Sequence, residues 1–277
     1  MKWRCADHTF DFSKQGEIMG ILNVTPDSFS DGGRYDSVAA AVEQALTLIS
    51  EGAAIIDIGG ESTRPGAPEV STGDECERVI PVIEALTRSN PEVVISIDTS
   101  KPEVAEKAIA AGAKIINDVT GFRDPGMIAL AAKTGPGLVV MHMQGTPRTM
   151  QAAPAYEDVV GEIRQFFTER HASFVEAGID PETIVYDPGI GFGKTQEHNL
   201  ALLKHLDQLV VEGRPLLLGV SRKSFIGKAI GSDSIEDREW PTVAITSHAR
   251  ELGVPLHRVH RVKPNFEALR MTEAMMK

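Results

Sequence analysis

Cysteine is scarce in this 277-residue chain: Cys5 and Cys76 are the only two, and they form no CxxC pair. A disulfide framework and a thiolate metal site are thereby excluded, and both side chains are expected to be unremarkable thiols. Positive charge is also in deficit, since 28 Lys and Arg against 39 Asp and Glu leave a net charge of -11. A nucleic-acid surface needs clustered positive charge, so no nucleic-acid partner is expected. No apolar run reaches the roughly 18 residues of a membrane span, so no membrane partner is expected either. The stretch Met1-Lys2-Trp3-Arg4-Cys5-Ala6-Asp7-His8 lacks the apolar core of a signal peptide, which makes a cytoplasmic location the default. The histidines show no HExxH or comparable spacing, so a structural zinc is not expected. Repeats, low-complexity tracts and long linkers are absent as well, and residues 1–277 read as a single domain.

What is present is an ordinary globular balance, with 42% apolar and 24% charged residues. Short β-branched runs alternate with helical patterns, the signature of a parallel sheet with crossover helices. Strands are predicted at roughly 18–23, 54–59, 93–98, 114–118, 137–142, 183–187, 215–220 and 256–260. Eight such units close a (β/α)8 TIM barrel. Between them, Val38, Val42, Ala45, Leu46 and Ile49 predict a helix over 37–50. A second helix is predicted over 156–177, with Val159, Ile163, Phe166, Phe167, Phe174 and Val175 on its apolar face and Gly178 as its stop.

Polar groups recur where these strands end. Asp57 follows Ala54-Ile55-Ile56, Asp98 follows Val93-Val94-Ile95-Ser96-Ile97, Asn117 and Asp118 follow Lys114-Ile115-Ile116, and Asp187 follows Thr183-Ile184-Val185-Tyr186. Parallel α/β folds build ligand sites at that edge of the sheet. The loops 23–33 and 59–67 are rich in Gly, Asp and hydroxyl residues, and Arg64 in the second could grip an anion in bidentate fashion, so the pair suggests a lid. The run Asp187-Pro188-Gly189-Ile190-Gly191-Phe192-Gly193-Lys194-Thr195 ends like a P-loop, but Pro188 stands where the first glycine is required. It reads instead as a flexible rim loop beside a fixed Asp187. Arg64, Lys223, Arg258 and Arg261 all fall in loops or at strand ends, where they could serve an anionic small molecule within an acidic protein. Alternation along the eighth strand sends Arg258 and His260 to the same side.

Taken in order, these segments resemble the dihydropteroate synthase family. The similarity is carried by Met19-Gly20-Ile21-Leu22-Asn23-Val24-Thr25-Pro26-Asp27-Ser28-Phe29-Ser30-Asp31-Gly32-Gly33 and Ile56-Asp57-Ile58-Gly59-Gly60-Glu61-Ser62-Thr63-Arg64-Pro65-Gly66-Ala67. It continues through Ile97-Asp98-Thr99-Ser100-Lys101, Ile116-Asn117-Asp118, Met141-His142-Met143-Gln144-Gly145, the 187–194 run and Ser221-Arg222-Lys223-Ser224, and so spans roughly residues 18 to 262. The resemblance implies an enzyme, a transferase of folate biosynthesis. Such an enzyme condenses 6-hydroxymethyl-7,8-dihydropterin diphosphate with 4-aminobenzoate, giving 7,8-dihydropteroate and pyrophosphate. It implies that Asp98, Asn117 and Asp187 read the pterin edge, that Lys223 bonds the ring's acceptors, and that Phe192 borders the aminobenzoate pocket. It assigns Asn23 as the ligand of Mg2+ and Asp27 to the magnesium-bound leaving group. Thr63 and Arg64 fall to the second loop, Arg258 and His260 to the diphosphate oxygens, and Ser224 to the aminobenzoate carboxylate. Catalysis is thus expected of Asp27, Thr63, Arg64, Lys223, Arg258 and His260, in a cytoplasmic homodimer that sulfonamides target. Two departures stand out: Arg261 follows His260 where an acidic residue is common, and Pro241-Thr242 replaces a Gly-Thr helix start. The alternatives are a pterin-binding methyltransferase barrel, which would lack the Ser62-Thr63-Arg64-Pro65-Gly66 loop and the Ser221-Arg222-Lys223-Ser224 run, and a paralogue that binds pterin without turnover.

Overall fold

In the computed structural model, which describes residues 1–25, 34–62 and 66–276, eight strands run parallel around one axis. They are β3 (Glu17–Asn23), β4 (Ile55–Gly59), β5 (Val94–Asp98), β6 (Ile115–Asp118), β7 (Gly137–Met141), β8 (Ile184–Asp187), β9 (Leu217–Leu218) and β10 (Leu256–Val259). Each pairs with its neighbour in the order β8-β7-β6-β5-β4-β3-β10-β9, and a bridge between Tyr186 and Leu216 brings the two ends together. The expected TIM barrel is therefore present. Its seventh strand is only two residues long, shorter than the predicted 215–220.

The chain also forms a hairpin that the sequence reading passed over. β1 (Lys2–Cys5) and β2 (His8–Asp11) pair antiparallel ahead of the barrel. Their side chains Trp3, Cys5, Phe10 and Phe12 form one cluster with Met19, Ile55, Val94, Ile115, Val139, Val185, Leu217 and Leu256, one residue from each barrel strand. The hairpin is thus a plug across the N-terminal end of the barrel. Trp3 stacks on Phe10 at 5.6 Å between centroids and donates from Nε1 to the Thr183 carbonyl at 2.8 Å. Gly137 admits the plug, because a Cβ there would stand 2.5 Å from Cys5 Sγ.

Side chains two apart on a strand share a face, so the next residues inward are Ile21, Asp57, Ser96, Asn117, Met141, Asp187, Gly219 and Arg258. The barrel interior passes in one step from an apolar floor to a largely polar second tier.

Helices α1 (Arg34–Ser50), α2 (Thr72–Ser89), α3 (Pro102–Ala111), α4 (Pro125–Thr134), α5 (Val159–Glu176), α6 (Gln196–Lys204), α7 (Ser224–Ile230), α8 (Glu239–Glu251) and α9 (Val262–Met275) cover the outside. Side-chain caps start several of them: Ser71 accepts from Asp74 N, Asp124 from Gly126 N and Asp158 from Val160 N. The Asp158 cap starts α5 three residues after the predicted 156. Two predicted stripes need correction. In α1 the buried line is Ala41, Ala45 and Leu48, while Leu46, one step round the helix from Ala45, is 38% exposed. In α5 Val175 is likewise turned outward at 48%, because Phe174 takes the inward position beside it. Pro241 sits at the third residue of α8, where its missing N–H needs no partner.

The plug makes a stability prediction. Trp3→Ala removes a fully buried ring and its hydrogen bond, and should lower the free energy of unfolding by about 3–5 kcal/mol in a urea titration. A loss below about 1 kcal/mol would mean that the hairpin is not part of the cooperative fold.

Candidate active site

The polar tier lies just below the C-terminal mouth of the barrel, and its centre is an arginine. Arg258, on β10, donates from Nε to Asp57 Oδ2 at 2.6 Å and from Nη2 to Asp98 Oδ2 at 2.8 Å. Asn117 Nδ2 donates to the same Asp57 oxygen at 3.0 Å. Asp57 is fully buried, and the side chains of Asp98 and Arg258 are 11% and 21% exposed. Asp187, at the end of β8, is held by the Gly189 N–H at 2.7 Å. Lys223 reaches across from the turn after β9, donates to the Ile190 carbonyl, and sits 4.4 Å from the centroid of the Phe192 ring.

Three carboxylates (Asp57, Asp98, Asp187) and two cations (Lys223, Arg258) share this mouth, and burial tunes them. Burial raises the Asp98 carboxyl to about 7, with Arg258 opposing the rise and Asp57 adding to it. Burial raises Asp187 too, against the pull of Lys223. It presses Lys223 down to about 8, with Asp187 working to keep it charged. Burial also works against the charge on Arg258, but Asp57 and Asp98 outweigh it and hold the guanidinium above its ordinary range. At neutral pH the site therefore offers one carboxyl, Asp98, poised near ionisation beside a fixed cation.

The loop after β8 is pinned, which corrects the expectation of a flexible rim. Lys194 is buried, and its Nζ donates to the carbonyls of Gly189 and Phe192, each at 2.9 Å, and lies 3.1 Å from His142 Nδ1. Gly191 N–H donates to Asn199 Oδ1 at 2.7 Å. The alternating glycines belong to this folded path: Gly189 has φ 64, and a Cβ there would stand 1.9 Å from the His142 carbonyl. Burial drives the Lys194 ammonium well below its usual range and, with help from Lys194, holds His142 down to about 2. His142 therefore belongs to the support of this loop.

A second support lies under Lys223. Arg222 adopts φ 61, a left-handed conformation costly for a residue with a Cβ. Its side chain pairs with the buried Glu239 and its carbonyl accepts from Arg238 Nη1 at 3.0 Å, so α8 holds the strained turn.

Asp98, Asn117, Asp187, Lys223 and Arg258 are thus brought together as expected, with Phe192 beside them. His260 stands one step further up the rim, where its Nδ1 lies 2.9 Å from Ser221 Oγ. Ser224 opens α7 and is exposed, and Asn23 is exposed at the end of β3. Asp27, Thr63 and Arg64 lie outside the described residues. Asp57, named from the sequence only as a polar strand end, was given no role, and neither were Lys194 and Ser221; nothing local distinguishes Lys194 from a surface lysine.

Against known proteins, residues 19–260 match the family model described as pterin binding enzyme. The chain belongs to this family. Within the pterin-binding enzymes its relatives are dihydropteroate synthases: that of Escherichia coli K12 is 49% identical over 259 residues, covering 94% of this chain and 91% of that protein. The Xanthomonas albilineans dihydropteroate synthase solved with 4-aminobenzoic acid superposes with a TM-score of 0.92 at 44% identity, over 99% of this chain and 98% of that one. The same organism's enzyme in complex with 7,8-dihydropteroate matches with a TM-score of 0.89 at 42% identity, over 100% and 99% of the two chains. In this pterin-binding enzyme the arginine-centred cluster occupies the mouth of the barrel that the family shares.

Lys194→Met tests the pinned loop. Leaving the Gly189 and Phe192 carbonyls without their donor should cost about 1–3 kcal/mol of stability and speed amide exchange at Gly191 and Phe192. Unchanged exchange at both amides would show that the loop holds itself.

Proposed function

We propose that this barrel mouth carries out the dihydropteroate synthase reaction, joining 6-hydroxymethyl-7,8-dihydropterin diphosphate to 4-aminobenzoate. The observation that carries the reading is the placement of Asp98, Asn117 and Asp187 around Arg258 and Lys223 at one barrel mouth. Its support is the relatives' shared identity as dihydropteroate synthases over nearly the whole chain.

A pterin presents adjacent N–H donors on its 2-amino-4-oxo pyrimidine edge, and carboxylates accept such donors in pairs. Asp187 and Asp98, with the Asn117 amide, supply those acceptors, and Lys223 donates to the ring's acceptor atoms. Phe192, held over Lys223, forms the wall against which 4-aminobenzoate lies, and Ser224 at the start of α7 takes its carboxylate. Arg258 and His260 hold the diphosphate, with Thr63 and Arg64 of the second loop and Asp27 of the first.

In the reaction, the bond between the pterin methylene carbon and the diphosphate oxygen breaks, and pyrophosphate leaves with the electron pair. The neutral aniline nitrogen of 4-aminobenzoate forms the new bond to that carbon and gives up a proton. The amine is already a nucleophile at pH 7, so the protein's task is to stabilise charge on the leaving oxygens and to exclude water. Preorganised donors at Arg258 and His260 do the first.

Magnesium belongs to the same proposal. The Asn23 side-chain oxygen is a hard donor at an exposed strand end, and among the described residues no group of three or more His, Cys, Asp or Glu could hold a metal ion. One protein oxygen with diphosphate oxygens and water suits Mg2+, which is often bound through substrate phosphates. When bound there it would neutralise charge on the diphosphate.

A homodimer is part of the same proposal, and exposed apolar side chains on α8 (Trp240, 74%) and α9 (Met271, 60%; Met275, 65%) are compatible with it. A cytoplasmic location fits two buried free cysteines. No helix among the described residues is long and apolar enough to cross a membrane.

Chromatography of purified protein with the pterin diphosphate, 4-aminobenzoate and Mg2+ should show dihydropteroate, and a magnesium-free control should show little. Tight pterin binding without product would leave a non-catalytic pterin-binding barrel. Asp98→Asn replaces a charge-assisted acceptor and should weaken pterin binding by about tenfold or more, measured by calorimetry. Pterin affinity should rise with pH through about 7, as the Asp98 carboxyl ionises, and fall again above about 8, as Lys223 loses its proton. In Asp98→Asn the rise should vanish and the fall remain; an unchanged acid limb would remove Asp98 from the site.

A further inference from the structure

Arg258 cannot aim itself. Its guanidinium is planar, carries five N–H donors, and sits on a side chain with four rotatable bonds. In the barrel, its Nε–H and one Nη2–H are committed to Asp57 and Asp98, which leaves the Nη1 end without a protein acceptor among the described residues. Asp57 contributes nothing else that a substrate could reach, since it is fully buried. The oxygen that fixes Arg258 also accepts from Asn117 Nδ2, so one carboxylate oxygen sets two side chains on opposite flanks of the mouth. The other oxygen, Oδ1, has no hydrogen-bond partner. Asp57 lies opposite Ser96 in the β4–β5 register, and the Ser96 hydroxyl is also buried and unpartnered. A carboxylate kept in such surroundings is costly unless its charge is used.

We infer that Asp57 is a positioning residue for the reaction: it locks the Arg258 guanidinium and the Asn117 amide into one relative orientation, so that the diphosphate and the pterin of a single substrate are held in register. The inference rests on the reading of Arg258 as the diphosphate ligand. It extends that reading from the groups that touch substrate to the buried group that aims them. Asp57 also faces Asp98 across the guanidinium, and its negative charge helps to hold the Asp98 carboxyl up, alongside Glu75 and Asp118 and against Arg258. Removing that charge should therefore let Asp98 ionise at lower pH.

The test is a cycle of Asp57→Asn, Arg258→Ala and the double variant, with affinities from calorimetry and turnover from dihydropteroate formation. Asp57→Asn should weaken binding of the pterin diphosphate about tenfold and lower kcat by a similar factor. The unphosphorylated pterin should lose less than about threefold, because Asn117 can still donate to the new amide oxygen. In the Arg258→Ala background, Asp57→Asn should change the diphosphate affinity by less than about threefold, since the guanidinium it aims is gone and only the Asn117 contact remains. The acid limb of pterin binding should move to lower pH in Asp57→Asn, a change that loss of packing alone would not produce. Equal losses in both backgrounds, or an unmoved acid limb with normal kcat, would overturn the positioning role. If Arg258→Ala itself leaves diphosphate affinity intact, the ligand assignment fails and the inference falls with it. If only the Asp57 step is silent, the inference alone fails. Asp57→Glu keeps the charge but displaces it by one methylene, so it serves where the amide variant does not fold; the same selective loss for the diphosphate is expected, and its absence would count against the proposal.

Discussion

The interaction on which this mouth depends is the buried contact of one guanidinium with two carboxylates, Arg258 with Asp57 and Asp98. Each group would be expensive alone at this depth, and their mutual attraction offsets part of that cost. The contact joins β10, β4 and β5, which lie on both sides of β3. It therefore couples the curvature of the sheet to the placement of the site. It also explains how an acidic chain can carry an anion site: the positive charge is local, fixed in direction, and framed by acids that keep it charged.

Everything beneath that contact serves to keep the barrel interior dry and rigid. The floor is apolar, one side chain from each strand, and the hairpin aromatics seal it from below. Above the contact, two further devices fix the rim. Lys194 gathers the backbone of the loop after β8, and Glu239 with Arg238 holds the strained turn that presents Lys223. Asp187 and Lys223 can then face each other without either being able to swing away, which a binding site for a flat, polar ring requires.

Much of the fold was legible in the chain, because a period of two in the strands and of 3.6 in the helices are local properties. The strand ends at Asp98, Asn117 and Asp187 could be read as a site because parallel barrels put ligands at that edge. The Arg258 and His260 pair could be read from alternation. The plug was missed because its strands are four residues long and its burial comes from the barrel floor, not from its own pattern. The stripes of α1 and α5 were misread at Leu46 and Val175 for a related reason: which of two adjacent apolar residues turns inward depends on the sheet beneath.

By itself the sequence determined the repeating unit, the order of the polar strand ends, and the family, since these follow from local spacing and from motifs that do not depend on distant residues. Only the tertiary structure decided which of those polar groups meet. Asp57 and Arg258 are separated by 201 positions, and Lys194 and His142 by 52, yet each pair is in hydrogen-bond contact. Pairing of β10 with β3 and of β3 with β4 brings the first pair together, pairing of β7 with β8 brings the loops of the second together, and no short stretch of chain contains that information.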